Sequence, residues 1–137
     1  MSVFVDTSAW FAALNRKDKD HPRAKKIIAD CADLVTSDFV LVEAWLLAKN
    51  RTSFQAAQSF WAGVRSGLAR VEKITDLDLD HAWHTAQTYK DQEFSLVDLT
   101  SFVLMERLGV KRAVSFDNDF VIYRYGPARD RAFEVLR

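Results

Sequence analysis

The sequence is poor in the residues that mark several classes of protein. Its 137 residues include one cysteine, two prolines and four glycines. A single cysteine, Cys31, excludes a disulfide framework and a zinc site built from cysteines. Because proline and glycine are scarce, we expect short loops and no flexible linker. Residues 1–137 have the length of one domain, and we predict that they form one.

Long apolar runs and an excess charge of either sign are also absent. No run reaches the roughly 20 apolar residues of a membrane-spanning helix. Asp6 interrupts the first apolar stretch, which lacks the basic start of a signal peptide. We therefore expect a cytoplasmic protein that does not enter a membrane. Nineteen basic and nineteen acidic residues give a formal charge of zero, which excludes a broadly basic surface but not a local basic patch.

Alternating patterns predict that short strands and helices follow one another. This order is typical of parallel strands joined by helices through right-handed connections. We expect an α/β fold of three layers, with a parallel sheet of about five strands flanked by helices on both sides. The predicted strands are 2–5, 33–36, 70–74, 112–116 and 132–136; the predicted helices are 7–14, a helix from Asp20 to Cys31, 38–50, a helix capped by Ser53, one through 79–86 and one from Ser95 to Gly109.

Aromatic residues are numerous for a chain of this size. The predicted helix after residue 53 places Phe54, Ala57, Trp61, Val64 and Leu68 on one face, which we expect to be buried. Ten Phe, four Trp and three Tyr exceed the needs of a small core. Any exposed surplus predicts an interface with a partner or with a second copy of the chain.

Acidic residues follow predicted strands or begin predicted helices. Asp6 ends the first strand, Asp98 lies in the first turn of the helix that Ser95 begins, and Asp117 and Asp119 follow the fourth strand. Parallel sheets bind ligands outside the carboxyl ends of their strands, which is where these acids are expected. Each also has a local interpretation. Asp6 suits a helix N-cap, Asp98 a capping box with Ser95, and the last two a turn.

Glu43 is the only charged residue in the apolar stretch from Phe39 to Ala48. A helix this apolar is expected to be buried on most sides. A buried carboxylate requires a cation, a hydrogen-bond network or access to solvent, or else it is protonated. The nearest basic residue, Lys49, is six positions away, so the alternatives are a bound cation and a tertiary salt bridge to a distant arginine.

Together the acids predict a cation site. Several carboxylates that converge without fixed basic partners repel one another, and a hard divalent cation relieves that repulsion. Mg²⁺ or Mn²⁺ suits oxygen ligands, and Mg²⁺ favours phosphate as a further ligand. The sequence therefore indicates phosphoryl chemistry.

Four motifs, in order, resemble those of the PIN-domain nucleases, and most closely those of the VapC-like toxins of toxin–antitoxin pairs. They are Val5-Asp6-Thr7-Ser8, Glu43 on its apolar helix, Ser95-Leu-Val-Asp98, and Val114-Ser-Phe-Asp-Asn-Asp-Phe120. The resemblance extends over residues 3–120. It implies a parallel sheet flanked by helices and Mg²⁺-dependent endoribonuclease activity, with Mn²⁺ as a possible substitute.

The resemblance also implies roles for individual residues. Asp6, Glu43 and Asp98 match the three acids that the family shares, and Asp117 matches the fourth. Ser115 stands where the family commonly has threonine and keeps the hydroxyl. We therefore predict Asp6, Glu43, Asp98 and Asp117 as the catalytic and metal-binding residues. Asp119 is a further candidate ligand, and the sequence leaves open which of Asp117 and Asp119 lies closer to the metal.

Candidate contacts to the RNA are hydroxyl and basic side chains. Thr7, Ser8 and Ser95 lie next to the acids in the sequence, and their hydroxyls suit either substrate binding or helix capping. Arg16 and Lys17 begin a basic stretch that continues to Lys26. That stretch suits an RNA contact, since affinity for phosphate grows with the number of cations engaged, or a solvated helix face.

The resemblance implies two protein partners, a second copy of the chain and an antitoxin. An acidic pocket beside an apolar groove would accept an amphipathic antitoxin segment that places an arginine among the carboxylates. Two alternatives stay open. One is a housekeeping PIN nuclease that processes RNA. The other is a phosphoacceptor signalling module, which also combines Mg²⁺ with carboxylates at strand ends.

Overall fold

The computed structural model describes residues 1–137, in which five strands alternate with seven helices. A π-helical turn, Val64–Leu68, follows the fourth helix. No helix is both long enough and apolar enough to cross a membrane. The elements, in chain order, are β1 Val3–Val5, α1 Thr7–Leu14, α2 His21–Asp30, β2 Leu34–Ser37, α3 Asp38–Arg51, α4 Phe54–Gly63, β3 Arg70–Glu72, α5 Asp76–Thr88, α6 Leu96–Leu108, β4 Arg112–Val114, α7 Asp119–Ile122 and β5 Glu134–Leu136.

The five strands form one parallel sheet in the order β3-β2-β1-β4-β5. Phe4 in the central strand β1 is in register with Val35 of β2 on one side and with Ala113 of β4 on the other. The direction of winding therefore reverses between β1 and β4. In open α/β sheets this reversal leaves a crevice at the carboxyl ends of the two strands, where ligands bind.

The helices form two layers. Right-handed connections place α1 to α4 on one face of the sheet and α5 to α7 on the other, because the chain runs outward in opposite directions on the two sides of β1. Contacts between α1 and α2, α1 and α3, and α3 and α4 belong to the first layer, and those between α5 and α6 and between α6 and α7 to the second. The predicted three-layer α/β fold with a five-stranded parallel sheet is thus confirmed.

Most aromatic residues lie in the core rather than on the surface. Phe102 and Tyr123 stack with ring centroids 4.1 Å apart, and Phe120 and Phe133 pack around them. Offset and edge-on ring pairs of this kind add about 0.5–1.5 kcal/mol each beyond the area they bury. This cluster holds α6 against the segment that follows β4, and so fixes the two acidic segments relative to each other.

The prediction of which face of the helix after Ser53 is buried is partly wrong. Ala57 and Val64 are buried, but Phe54 is 58% exposed and Trp61 is 38% exposed. The reason is that Phe60, not Trp61, packs against the core, where its ring meets Trp10 at 5.6 Å. Leu68 is also exposed, because the π-helical turn interrupts the helical period before it.

The remaining boundaries differ by small amounts. Four strands are one or two residues shorter than predicted, β2 is shifted by one residue, and α3 continues to Arg51. The helix α7 was not predicted, because four residues are too few to show a period. The caps are as expected: Ser37 and Ser53 accept backbone N–H groups, and Gly109 ends α6 with a left-handed φ of 69°.

Candidate metal centre

Three acidic side chains meet at the crevice between β1 and β4. Oxygens of Asp6, Asp98 and Asp117 all lie within 4.8 Å of one another. Asp6 directly follows β1, Asp117 follows β4 after two residues, and Asp98 lies in the first turn of α6. Because β1 and β4 are parallel neighbours, their carboxyl ends bring the first two acids to the same edge of the sheet.

Asp6 is held by two serine hydroxyls rather than acting as a cap. It occupies the N-cap position of α1, yet its side chain caps no backbone N–H. Ser8 Oγ and Ser115 Oγ each donate to Asp6 Oδ2 at 2.9 Å. Ser8 Oγ in turn accepts the backbone N–H of Phe116 at 2.9 Å. The two donors bind the same carboxylate oxygen and fix the orientation of the Asp6 side chain.

Asp98 makes only half of the predicted capping box. Ser95 Oγ accepts the backbone N–H of Asp98 at 3.0 Å, but the Asp98 carboxylate does not return a bond to the backbone of Ser95. The side chain is therefore free to join the other acids. It is 7% exposed, so its charge has little water around it.

Asp117 and Asp119 have different places in the cluster. Asp117 Oδ1 accepts the backbone N–H of Asp119 at 3.0 Å, and the Ser115 hydroxyl, whose proton is closer to Asp6, lies 3.3 Å from it. It belongs to the set of three with Asp6 and Asp98, whereas Asp119 does not. The Asp119 side chain instead lies against that of Asp98. In this arrangement Asp117 is the better placed of the two to share an ion with Asp6.

Burial and mutual repulsion make these carboxyls weak acids. Burial first, and then the charge of Asp117, raises the pKa of Asp6 to about 7. Burial, the contact with Asp119 and the neighbouring charges raise the pKa of Asp98 to about 9. The pKa of Asp117 is also raised, chiefly by burial. Each of the three carboxyls therefore releases its proton less readily than a free aspartic acid.

The donor set fits a hard divalent cation. Every candidate ligand is a carboxylate oxygen, and no lysine or arginine forms a salt bridge with any of them. Oxygen-only sites of this kind suit Mg²⁺ or Mn²⁺. Asp6, Asp98 and Asp117 would hold such an ion directly or through water.

Glu43 lies outside the set of three. It is half-buried on the second turn of α3, and its side chain forms neither a hydrogen bond nor a salt bridge. The interpretation as one half of a tertiary salt bridge is therefore wrong. The helix α3 contacts both α1 and α6, which begin beside Asp6 and Asp98.

Of the predicted substrate-binding residues, the three with hydroxyls lie next to the acids and the two basic ones do not. Ser8 and Ser95 are engaged in the bonds described above, and Thr7 is buried with its hydroxyl unpartnered. Arg16 and Lys17 are exposed in the loop that follows α1. Because α1 begins at the acids and its eight residues extend about 12 Å, this loop lies at the opposite end of the helix.

Two features of the structure were not predicted from the sequence. The first is that Ser115 orients Asp6, since only the fold brings them together. The second is an ion pair in which Arg107 Nε and Nη2 donate to the two oxygens of Asp78, each at 2.9 Å. Asp78 also completes a capping box with Thr75. The Thr-x-x-Asp pattern was visible in the sequence and could have indicated a structural role for Asp78.

The fold and the site together define a class, that of α/β proteins with a carboxylate centre for a divalent metal at the switch point of a parallel sheet. A family model described as "PIN domain" matches residues 3–125. The chain therefore belongs to the PIN domain family. This match overturns the alternative of a phosphoacceptor signalling module.

Individual relatives are ribonucleases of the VapC type. The chain is 40% identical over 120 residues to the 23S rRNA-specific endonuclease VapC20 of Mycobacterium tuberculosis, covering 86% of this chain and 91% of the relative. It is 24% identical over 116 residues to the ribonuclease VapC26 of the same species, covering 84% of this chain and 86% of the relative. The predicted resemblance to VapC-type PIN nucleases is thus confirmed, and with it the assignment as an enzyme of this class.

Solved structures agree. The crystal structure of M. tuberculosis VapC20, described as a sarcin–ricin loop cleaving toxin, superposes with a TM-score of 0.83 at 37% identity, covering 87% of this chain and 92% of the other. VapBC2 from Rickettsia felis, bound to a DNA fragment from its promoter, gives a TM-score of 0.64 at 13% identity, covering 88% and 91%. At that identity the second likeness supports the fold alone.

Proposed function

We propose that this chain is a Mg²⁺-dependent endoribonuclease that serves as the toxin of a toxin–antitoxin pair. The observation that carries the proposal is the cluster of Asp6, Asp98 and Asp117, whose oxygens lie within 4.8 Å of one another without a basic partner. Phosphodiester hydrolysis requires an activated water, a clamp on the phosphate and compensation of developing charge. When bound, Mg²⁺ supplies Lewis acidity and lowers the pKa of water.

The residues of the chain divide the remaining tasks. Asp6, Asp98 and Asp117 would hold the ion, directly or through water. Ser8 and Ser115 keep Asp6 in one orientation through their bonds to Oδ2. Glu43 carries no structural bond, which suits a carboxylate that orients the attacking water or accepts its proton. Asp119, beside Asp98, is available as a further ligand through water.

The decisive experiment is an assay of the purified protein on RNA. We expect cleavage with Mg²⁺ or Mn²⁺ and none after addition of a chelator. Because the VapC20 relatives act on 23S rRNA, we propose ribosomal RNA as the substrate class, and intact ribosomes and total tRNA are the two substrates to compare. Cleavage that continues in chelator would overturn the metal-dependent mechanism.

We further propose that an antitoxin binds along an apolar groove beside the metal centre. The groove has a volume of about 710 Å³ and lies between α1, α2 and α4. Trp10, which lines it, is one helical turn from Asp6 along α1. An amphipathic segment in the groove is therefore close enough to place an arginine against the carboxylates, where a two-oxygen contact is favourable.

Co-expression with the product of the neighbouring gene tests this mechanism. We expect that small protein to inhibit cleavage, and alanine in place of the arginines of its tail to relieve inhibition. Inhibition that ignores those arginines would overturn the mechanism and leave the nuclease assignment standing. If no neighbouring gene encodes an inhibitor, the alternative of a housekeeping PIN nuclease is favoured.

Two further proposals concern organisation. We propose that residues 1–137 form a single PIN-like domain, since β5 lies beyond the matched residues 3–125 yet pairs with β4. We also propose a homodimer, because large apolar side chains are exposed on several helices. Light scattering of the purified protein tests the second proposal directly, and a monomer at micromolar concentration would contradict it.

A further inference from the structure

An exposed aromatic surface joins α3 and α4. Four side chains form it, Trp45 from α3 and Phe54, Gln58 and Trp61 from α4, and we call it the aromatic face. The rings of Trp45 and Phe54 meet edge to face at 6.2 Å, and Trp45 Nε1 donates to Gln58 Oε1 at 3.1 Å. Trp45, Gln58 and Trp61 line an open cavity of about 350 Å³. The face is a connected surface rather than a set of isolated rings.

The helical spacing of α4 keeps this surface in solvent. Phe54, Gln58, Trp61 and Arg65 are separated by four, three and four residues, so they follow one face of the helix and its π-helical extension. Phe60 takes the place in the core that would otherwise hold Trp61. Phe54 is left 58% exposed and Trp61 38% exposed.

The charge of this region has one sign. Between Glu43 and Glu72 the sequence has no acidic residue and four basic ones, Lys49, Arg51, Arg65 and Arg70. Arg70 is paired with Asp33 and Glu72, but the other three form no salt bridge. Lys49 Nζ lies 5.7 Å from the centre of the Trp45 ring, at the border of the aromatic face. Exposed rings therefore occur beside uncompensated positive charge.

This combination differs from the basic stretch after α1. There six basic residues between Arg16 and Lys26 are accompanied by Asp18 and Asp20, and Lys26 is paired with Asp30. The stretch also contains no exposed aromatic ring. Of the two candidates for contact with nucleic acid, only the region of α3 and α4 offers exposed rings on which bases can stack.

We propose that the aromatic face stacks unpaired bases of the RNA substrate, while Lys49 and Arg65 contact its phosphates. The inference rests on the proposed ribonuclease function and deepens it. Exposed rings together with backbone-directed cations are the usual means of binding single-stranded nucleic acid, and each stacked base contributes severalfold to affinity. Trp45 belongs to α3, the helix that also carries Glu43.

A second copy of the chain is a less suitable occupant. In a two-fold symmetric contact the same patch faces itself, so Lys49 and Arg65 would approach the same cations of the other copy without an acid to compensate them. A polyanion meets no such repulsion. The dimer is therefore an alternative outcome of the test rather than a second proposal.

The test measures binding without cleavage, by fluorescence anisotropy of a labelled single-stranded oligoadenylate in buffer with chelator. We expect Trp61→Ala and Phe54→Ala each to weaken binding about tenfold, which is the loss of one stacked base. Trp61→Leu, which keeps apolar volume but not the ring, should weaken it similarly. A fully paired duplex of the same length should bind the wild type more weakly and be indifferent to these changes.

Trp83→Ala is the matched control, because Trp83 is 61% exposed on α5, outside the aromatic face. Its affinity for the oligonucleotide should equal that of the wild type. Arg65→Gln and Lys49→Gln should each reduce the slope of log affinity against log salt by about 0.7. The midpoint of thermal unfolding should change little in all of these variants, since the substituted side chains lie at the surface.

Two outcomes would overturn the proposal. Unchanged affinity in both Trp61→Ala and Trp61→Leu would show that no base stacks there. A change from dimer to monomer in light scattering, with unchanged affinity per protomer, would identify the face as an interface between copies. If the wild type cleaves RNA in either case, the nuclease assignment survives; if it neither binds nor cleaves RNA, the proposed function itself fails.

Discussion

Ser115 donates its hydroxyl to Asp6 Oδ2 at 2.9 Å, joining residues that are 109 positions apart in the sequence. Ser8 donates to the same oxygen. Together they orient the carboxylate from the side away from the proposed ion, as the outer partners of metal ligands commonly do. The bond also connects the end of β4 to the end of β1.

Removing this donor should weaken metal binding. We expect Ser115→Ala to lower affinity for Mn²⁺ about tenfold or more, because Asp6 loses one of the two bonds that fix its orientation. Ser115→Thr, which keeps the hydroxyl, should restore most of the affinity. Isothermal titration calorimetry without RNA measures the Mn²⁺ affinity of both variants and of the wild type. Equal affinity in the wild type and in Ser115→Ala would show that Ser8 alone orients Asp6.

Asp98→Asn should abolish RNA cleavage and leave the fold intact. The amide retains volume but removes a ligand charge that a hard divalent cation requires. Without metal at neutral pH, the variant should be more stable than the wild type, because the buried Asp98 carboxyl must take up a proton on folding whereas the amide is neutral in both states. An RNA assay and thermal unfolding in chelator measure the two effects. If the variant kept full activity at low Mg²⁺, Asp98 would have only a local structural role in the first turn of α6.

The stability of the metal-free protein should fall as pH rises. The raised pKa values of Asp6 and Asp98 mean that the folded state keeps protons which the unfolded chain releases above about pH 4. The free energy of unfolding therefore decreases from about pH 4 through the folded pKa values, by an amount on the order of a few kcal/mol.

Saturating Mg²⁺ should reduce this dependence, because the ion takes the place of the protons. The increase in melting temperature caused by Mg²⁺ should thus be larger at about pH 8 than at about pH 5. Differential scanning calorimetry with chelator and with Mg²⁺ at both pH values makes the comparison. If Mg²⁺ raised the melting temperature by the same amount at both pH values, the cluster would not be the site that binds the ion.

Glu43→Gln should lower the rate of cleavage without lowering stability. A general base contributes about 10²–10⁴-fold to rate. Glu43 forms no salt bridge, so the amide removes no structural bond. Single-turnover cleavage and thermal unfolding in chelator separate the two effects. A clear loss of metal-free stability would mean that the carboxylate has a structural partner in solution.

The ion pair of Arg107 and Asp78 should matter for stability alone. Arg107→Met should cost about 2 kcal/mol, below the value for a fully buried pair because the Arg107 side chain is 39% exposed. Although burial opposes it, hydrogen bonds from Arg107 and Thr75 lower the pKa of Asp78. This contribution is present above about pH 4 and is lost as pH falls through the lowered pKa.

The matched control for that pair is Arg112→Gln. Arg112 pairs with Glu134 at 3.3 Å, but the Glu134 side chain is 64% exposed, so the change should cost about 0.5 kcal/mol or less. Urea unfolding at neutral and acid pH compares the variants. Equal costs for Arg107→Met and Arg112→Gln would contradict the structural role of Asp78.

Local signals in the sequence predicted much of the fold. Strands of apolar residues, serine caps and the glycine that ends α6 act within a few residues of one another, so their meaning does not depend on the rest of the chain. Helix faces were harder to predict. Phe60 and Trp61 are neighbours of similar character, and only the position of Trp10 decides which of them is buried.

The same limit applies to the acids. Thr75 and Ser95 each begin a helix and are each followed three residues later by an aspartate. Asp78 completes the capping box and pairs with Arg107, whereas Asp98 leaves its box half made and faces Asp6 and Asp117. The sequence by itself determined the strands, the caps and the identity of the acids, because these follow from short-range preferences. Only the tertiary structure decided that Asp78 faces an arginine and Asp98 faces two other carboxylates, because these neighbours are distant in the sequence.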